Sequence, residues 1–166
     1  MSERVPMSRS EMMSRIGPRN TTPEMKLRRG LHRAGFRFRL HRKDLPGKPD
    51  ITLPRHRAVI RVQGCFWHMH PGCRNFRLPK TNTAFWEAKI SRNVARDAEQ
   101  ALSLHQLGWR VLTVWECATR DMPADDLLAA VTDWLQGSTE TGEIPAPATL
   151  GRKEDGVDGE RPYQQP

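Results

Sequence analysis

Three cysteines and one histidine form the clearest chemical pattern in this sequence. Cys65, His70 and Cys73 lie within nine residues of one another, and Cys117 is the only other cysteine. Zinc favours four tetrahedral sulfur and nitrogen ligands, so these residues predict a closed Cys3His site of the structural type. His68 could replace His70 in that set. The competing interpretation is three reduced thiols and two surface histidines.

A second group of residues could bind a divalent cation beside a phosphodiester. Pro49-Asp50 follow a tight turn and begin a predicted strand, and Val62-Gln63 end the next strand. Magnesium nucleases often use such an aspartate, because it is a hard oxygen ligand and the ion stabilises charge on the scissile phosphate. The second strand usually adds Glu-x-Lys, whereas residues 61–63 are Arg-Val-Gln. His68 is therefore the predicted general base, since histidine titrates near neutrality.

Two further acids and three aromatic residues each have two interpretations. Glu24 lies in the first turn of a predicted helix, where an acid favours the helix dipole whether or not it is catalytic. Asp97 lies on a long predicted helix, and its spacing alone favours a solvated surface charge. Phe66 and Trp67 could belong to a core, but their polar neighbours favour outward presentation. Trp86 recurs at helical period with apolar residues, so it is expected in the core or facing the site.

The elements that must position these residues form a predicted α/β domain over residues 21–136. The order helix, three strands, loop, helix, strand, helix predicts a mixed sheet with helices on its faces. The first helix is expected to be capped by Thr22 and ended by Gly35, with Ala34 in its buried stripe together with two leucines. Leu102 is expected in the buried stripe of the long helix. Strands are predicted at 36–40, 50–53, 58–62 and 109–115, and helices at 22–34, 82–107 and 121–137.

The overall charge indicates the kind of partner. The chain has 27 Lys and Arg residues against 19 Asp and Glu residues, a formal net charge of +8 at pH 7. This balance predicts a polyanionic partner such as nucleic acid, although an ordinary alkaline protein is the alternative. No apolar run approaches the roughly 20 residues of a membrane helix, and no apolar signal core is visible, so a cytosolic protein is expected. Residues 1–20 are expected to form a flexible arm, and residues 137–166 a disordered tail.

These motifs together resemble the very-short-patch repair (Vsr) family of DNA mismatch endonucleases. The resemblance runs from about Arg9 to Trp134, and its most specific parts are GCFWH at 64–68 and VWEC at 114–117. Further matching segments are Thr22-Pro23-Glu24, Leu45-Pro46-Gly47-Lys48-Pro49-Asp50, Lys80-Thr81-Asn82-Thr83, Phe85-Trp86, Asn93-Val94, Arg96-Asp97 and Gly108-Trp109-Arg110-Val111.

The resemblance implies a restriction-endonuclease-like fold of the PD-(D/E)xK superfamily with a structural zinc. It also implies a magnesium-dependent endonuclease that nicks one strand 5′ to the thymine of T:G mismatches, which arise when 5-methylcytosine deaminates. The implied partners are duplex DNA carrying that mismatch, MutL-type repair proteins and a cognate cytosine methyltransferase. The enzyme is expected to be a monomer without a membrane partner, acting at the bacterial nucleoid.

The resemblance also assigns roles to individual residues. Magnesium would be held by Asp50 and the backbone carbonyl of Val62, and His68 would be the general base. Glu24 and Asp97 would be supporting acids. The implied zinc ligands are Cys65, His70, Cys73 and Cys117, and the implied DNA contacts are Met13, Phe66, Trp67, Gln63 and Trp86.

One departure from the family pattern leaves two alternatives open. The position of Gln63 is frequently histidine in this family, and glutamine can donate to a phosphate but cannot titrate. A zinc-stabilised protein that binds mismatched DNA without cutting it is therefore the main alternative. A restriction-type nuclease acting on unmismatched DNA is the second.

Overall fold

The computed structural model describes residues 19–145, which form a five-stranded mixed sheet with helices on both faces. The strand order is the chain order. The first three strands pair antiparallel, and the last two join them in parallel. The strands are β1 Arg39–Leu40, β2 Ile51–Leu53, β3 Ala58–Gln63, β4 Arg110–Trp115 and β5 Thr141–Ile144. The helices are α1 Thr22–Arg33, α2 Thr83–Gln106, α3 Glu116–Asp121 and α4 Ala124–Gln136, with a 3-10 turn at Pro54–His56.

Side chains alternate across the sheet and build two separate cores. Ala58 and Ile60 of β3 pack with α1, α3 and α4, whereas Val59 between them packs with Leu104 of α2. This period-2 alternation is what a strand buried on both faces requires. Three helices therefore cover one face of the sheet, and α2 covers the other.

The paired ends of β3 and β4 position the residues with chemical potential. The two strands run parallel in a register that places Gln63 beside Trp115. The loop that starts at Gly64 and helix α3 that starts at Glu116 therefore leave the sheet side by side. This register brings Cys117 next to the loop that holds the other cysteines.

Helix α1 begins at Thr22, as its predicted range has it, but its N-cap lies one residue earlier than predicted. Thr21, not Thr22, is the N-cap, and its side chain accepts a hydrogen bond from the backbone N–H of Glu24. Ala34 is exposed rather than buried, because it is the C-cap of the helix. Gly35 follows at φ 88°, a left-handed conformation in which glycine avoids a Cβ clash.

Helix α2 confirms the long predicted helix but not its whole buried stripe. Ile90 and Leu104 are its buried residues, whereas Leu102 is 59% exposed. The predicted apolar stripe repeats every four residues, whereas an α-helix has 3.6 residues per turn. Over four turns the stripe therefore rotates away from the buried face of the helix. No helix among the described residues is long and apolar enough to cross a membrane.

Three predicted boundaries are corrected. The strand predicted at 36–40 keeps only Arg39–Leu40, because Phe36 and Phe38 pack on the core without pairing. The last helix begins at Ala124, after Pro123. The disordered tail predicted from residue 137 is wrong for Thr141–Ile144, where Ile144 is buried and the strand pairs with β4. Residues 1–18 and 146–166, which include Met13, the rest of the arm and the rest of the tail, lie outside the described residues.

Candidate active site and metal centre

One cleft of about 810 Å³ collects most of the residues singled out in the sequence. It lies at the ends of β3 and β4, between the start of α1 and the middle of α2. Its lining includes Glu24, Asp50, Val62, Gln63, Trp67, His68 and Asp97. Residues that are far apart in the chain are thus brought to a single concave surface.

Asp50 lies just before β2 with one carboxylate oxygen fixed. Its Oδ2 accepts a hydrogen bond of 2.7 Å from the backbone N–H of Val62. Burial raises the pKa of Asp50 to about 6, and the nearby charge of Glu24 adds to that rise, while the Val62 N–H and Arg28 oppose it. Burial makes the ionised form of this carboxylate unfavourable, and a bound cation would stabilise that ionised form.

Glu24 serves both the helix start and the cleft. Its side chain accepts hydrogen bonds from the Asn20 backbone N–H at 3.0 Å and from the Thr21 hydroxyl at 3.1 Å, which resembles a capping box but takes its backbone donor one residue before the N-cap. Its Oε2 also lies 2.6 Å from Arg28 Nη2 and 3.8 Å from His41 Nε2. The capping and active-site interpretations of Glu24 are therefore compatible in one geometry.

His68 and Asp97 form a pair across the cleft. His68 Nδ1 contacts Asp97 Oδ2, and both side chains are partly buried. Asp97 is thus a hydrogen-bonding partner of His68 and not the solvated surface charge that its spacing favoured. A histidine held through Nδ1 has Nε2 left to accept a proton, which is the arrangement a general base needs.

The cysteines and His70 converge beside this cleft. One ligand atom from each of Cys65, His70, Cys73 and Cys117 lies within 4.8 Å of all the others. His70 Nδ1 is 3.6 Å from Cys65 Sγ and 3.4 Å from Cys117 Sγ. A tetrahedral zinc with ordinary Zn–S and Zn–N bonds requires about 3.5 Å between such atoms. His70, and not His68, is therefore the histidine of this cluster.

The chemistry of the cluster also fits a metal ion. Burial raises the pKa of the Cys65 thiol to about 12, so its thiolate needs a compensating positive charge. Burial lowers the pKa of His70, which keeps the imidazole in the neutral form that ligates metals. The ring stacks on Trp115 with centroids 4.2 Å apart and an angle of 8° between the planes. The donor set and its support are those of a closed structural site.

The aromatic residues form a cluster at the edge of the cleft. Ring centroids are 5.2 Å apart for Phe66 and Trp67, and 5.5 Å apart for Phe66 and Trp86. The Lys89 ammonium lies 5.2 Å from the centroid of the Trp67 ring. All three rings are only partly buried, and Trp67 also lines the cleft. Asn93 on α2 donates to the Trp67 carbonyl and fixes the loop from the helix side.

Three positively charged or titratable residues of the site were missed from the sequence. Arg28 could have been found, because it lies four residues after Glu24 on a helix. Arg61 interrupts an otherwise apolar strand, which marks it as unusual without giving its partner. His41 lies 3.9 Å from Asp50, and only the tertiary fold brings the two together.

Comparison with known proteins identifies the family. The family model described as DNA mismatch endonuclease Vsr matches residues 3–74. A type II nicking enzyme, V.XorIIP of Xanthomonas oryzae pv. oryzae, is 48% identical over 125 residues, which are 75% of this chain and 91% of that protein. The DNA mismatch endonuclease Vsr of Escherichia coli is 40% identical over 140 residues, which are 82% of this chain and 89% of that protein. This chain therefore belongs to the Vsr family of DNA mismatch endonucleases.

Proposed function

We propose that this protein is a magnesium-dependent endonuclease that nicks one DNA strand 5′ to the thymine of a T:G mismatch. The observation that carries the proposal is the cleft in which the Asp50 carboxylate and the His68–Asp97 pair are brought together. A hard oxygen ligand beside a held imidazole suits phosphodiester hydrolysis by an activated water. The names of the relatives, mismatch endonuclease and nicking enzymes, support the same reaction.

The proposed fold superfamily, PD-(D/E)xK, is supported by the position of Asp50 before β2 and of Val62 on its antiparallel neighbour β3. Asp50 and the Val62 carbonyl would hold magnesium, which when bound supplies positive charge at the scissile phosphate and an acidified water. The raised pKa of Asp50 supports a cation there. Glu24 would contribute a second negative charge and hold Arg28 at the edge of the site.

The proton chemistry is assigned to His68. Its Nε2 would take the proton from the attacking water, and Asp97 would orient the ring and stabilise the imidazolium that forms. Gln63 lines the cleft and is buried, and its amide N–H would donate to a phosphate oxygen without exchanging a proton. The site therefore needs only one titrating histidine.

Mismatch recognition is assigned to the aromatic cluster. Phe66 and Trp67 would wedge between base pairs beside the mismatch, where unstacking costs a few kcal/mol per step, and Trp86 would be a further DNA contact. A T:G wobble pair is easier to open than a Watson–Crick pair, which favours the mismatch. The Cys3His cluster would hold a structural zinc that keeps the loop of Phe66 rigid. Met13 is proposed to enter from the opposite groove.

The biological setting follows from the same reaction. We propose that the enzyme acts as a monomer, repairs deaminated 5-methylcytosine left by a cognate cytosine methyltransferase, and works with MutL-type repair proteins. Duplex DNA with a T:G mismatch is the proposed substrate.

The deciding experiment measures strand nicking on paired duplexes that differ only in a T:G or C:G pair at one site. The sequence around the site is varied, and each duplex is tested with and without magnesium. Magnesium-dependent cutting of the thymine strand of the T:G duplex alone is the expected result. Asp50→Ala should lose cutting but retain binding, and equal nicking by that variant would refute the assigned role of Asp50.

Two other outcomes would replace the proposal. Tight T:G binding without cutting at any sequence would favour a recognition protein, with Gln63 as the residue that explains the lost activity. Equal cutting of T:G and C:G duplexes would indicate a restriction-type nuclease. Each outcome is distinct from failed folding, because binding is measured on the same protein sample.

A further inference from the structure

Arg61 is a partly buried cation for which neither proposed metal site nor the aromatic cluster has a use. It lies on β3 and points to the face covered by α2. Its Nη1 donates to the backbone carbonyl of Asp97 at 2.9 Å, and its Nη2 lies 3.3 Å from the hydroxyl of Thr113. Thr113 is its register partner on β4. The guanidinium therefore joins two strands to the middle of α2.

This connection matters because the other tertiary hydrogen bonds that the structure describes for the middle of α2 go to the loop after β3 and not to the sheet. Ile90 and Leu104 are the buried residues of α2, and none of the 13 residues between them is buried. That interval is about three and a half helical turns. Among the described residues, the hydrogen bond from Arg61 is the one that links this interval to the sheet. A polar connection thus replaces the apolar packing that usually seats a helix.

The connected residue is the one that holds the proposed general base. Asp97 offers its carbonyl to Arg61 and its carboxylate to His68, so the two contacts share one residue. A displacement of α2 at this point moves the carboxylate away from the imidazole. Partial burial of a guanidinium between sheet and helix is costly, and its Nε has no hydrogen-bond partner among the described residues. A role in positioning Asp97 would account for a charge at this place.

We propose that Arg61 is a positioning residue that fixes the middle of α2 against the sheet and thereby places Asp97 against His68. The proposal deepens the proposed function and depends on it for its catalytic consequence. Arg61 also lines the cleft, but its guanidinium is engaged by the Asp97 carbonyl and the Thr113 hydroxyl, so the role assigned to it runs through Asp97. Loss of the connection should lower turnover without weakening DNA binding.

The chain offers a matched control for this proposal. Arg57 donates to the backbone carbonyl of Leu107 at 3.0 Å, which fixes the far end of the same helix. Arg61→Met and Arg57→Met remove the same kind of contact, one beside the cleft and one away from it. We expect Arg61→Met to lower kcat about 10- to 100-fold with KM within about twofold, the size of effect that a misplacement near 1 Å produces. Arg57→Met should keep wild-type kcat.

A double-variant cycle tests the route through Asp97. In an Asp97→Ala background the Arg61→Met change should cost less than about threefold, because the group that it positions is gone. Arg61→Lys keeps a positive charge but cannot bridge the Asp97 carbonyl and the Thr113 hydroxyl. This variant controls for a folding defect in Arg61→Met, and its kcat should be intermediate. Wild-type kcat in Arg61→Met, or losses that multiply in the double variant, would overturn the proposal.

Hydrogen exchange tests whether Arg61 fixes the middle of α2, and it does not require an activity measurement. Amides of residues 93–101 should exchange faster in Arg61→Met, whereas those near Leu107 should do so in Arg57→Met. Unchanged exchange at 93–101 would overturn the proposal. The kinetic measurements use whichever duplex the wild type cuts, so a failed T:G preference refutes the proposed substrate alone and leaves the test of Arg61 intact.

Discussion

Asp50 combines a proposed catalytic role with a cost to stability. Its carboxyl is only 21% exposed, and burial raises its pKa to about 6 from the usual value of 3.8. The folded protein therefore holds a proton at Asp50 more tightly than the unfolded chain does. As the pH rises from about 4 to 6 the unfolded state ionises first, so stability is lost across this window and stays low above it. The full penalty is at most about 3 kcal/mol.

Asp50→Asn should remove that penalty while it abolishes nicking. Without added magnesium, we expect the variant to be more stable than the wild type at pH 7.5 and equally stable near pH 4. Asparagine can still accept the Val62 N–H, so the local geometry is kept. Urea unfolding at a series of pH values measures the difference. An Asp44→Asn change, at an exposed aspartate outside the cleft, should give no such gain, and a constant difference at all pH values would contradict the prediction.

Single residues were predicted from the sequence only where local pattern carries their role. Asp50 was proposed from a turn followed by a strand and lies in the cleft, and His70 was proposed from its spacing to two cysteines, with His68 as the alternative, and lies beside them. Arg61 and His41 were not found, because their partners Asp97 and Glu24 lie on helices distant in the chain. A sequence shows the type of each residue, but it does not show which residues will contact it in the folded protein.

At the scale of elements, the loop after β3 is proposed to be held by a bound metal ion in place of a core of its own. Its Cys65 packs with Trp115 and with Cys117 of α3 in a small group separate from both main cores. Removal of a bound zinc should therefore unfold this loop first and lower the melting temperature by about 10 °C or more. Phe66 and Trp67 of the aromatic cluster are carried by the same loop, so T:G binding should weaken together with stability.

The zinc prediction is measured on the full chain by metal analysis and thermal melting before and after chelation. One equivalent of zinc should be released, and zinc but not magnesium should restore the melting temperature. His70→Ala should mimic chelation, whereas His32→Ala, at an exposed histidine on α1, should not. A His70→Ala protein that retains zinc and the wild-type melting temperature would show that the cluster is not a metal site.

Elements were predicted well where periodicity is long and poorly where it is short. Helix α2 was predicted to within a residue at each end, since 24 residues of helical pattern leave few alternatives. Strand β5 was not predicted, because Thr-Gly-Glu-Ile has one large apolar residue and lies in a polar segment. Its stability comes from pairing with β4 and from the burial of Ile144, and both are tertiary effects.

For the whole molecule, the basic composition predicted a polyanionic partner such as nucleic acid. The fold determines where the positive charges lie on the surface. The chain carries a net charge of +8. Exposed cations border the cleft and the aromatic cluster: Arg19, Lys48, Lys89 and Arg96. The mixed sheet could be predicted from the order of elements, but this arrangement of charges could not, since it depends on the joining of three separate segments.

These four cations predict how DNA binding depends on salt. If each neutralises one phosphate, the logarithm of the binding constant should fall with the logarithm of salt concentration at a slope of about −3.6, or about −0.9 per contact. Phosphates carry no base information, so T:G and C:G duplexes should give the same slope although their affinities differ. Lys48→Ala should make the slope shallower by about 0.9. Arg55→Ala removes an exposed charge at the opposite end of β3 and should leave the slope unchanged. Fluorescence anisotropy at several salt concentrations measures both, and equal slopes for wild type and Lys48→Ala would remove Lys48 from the DNA interface.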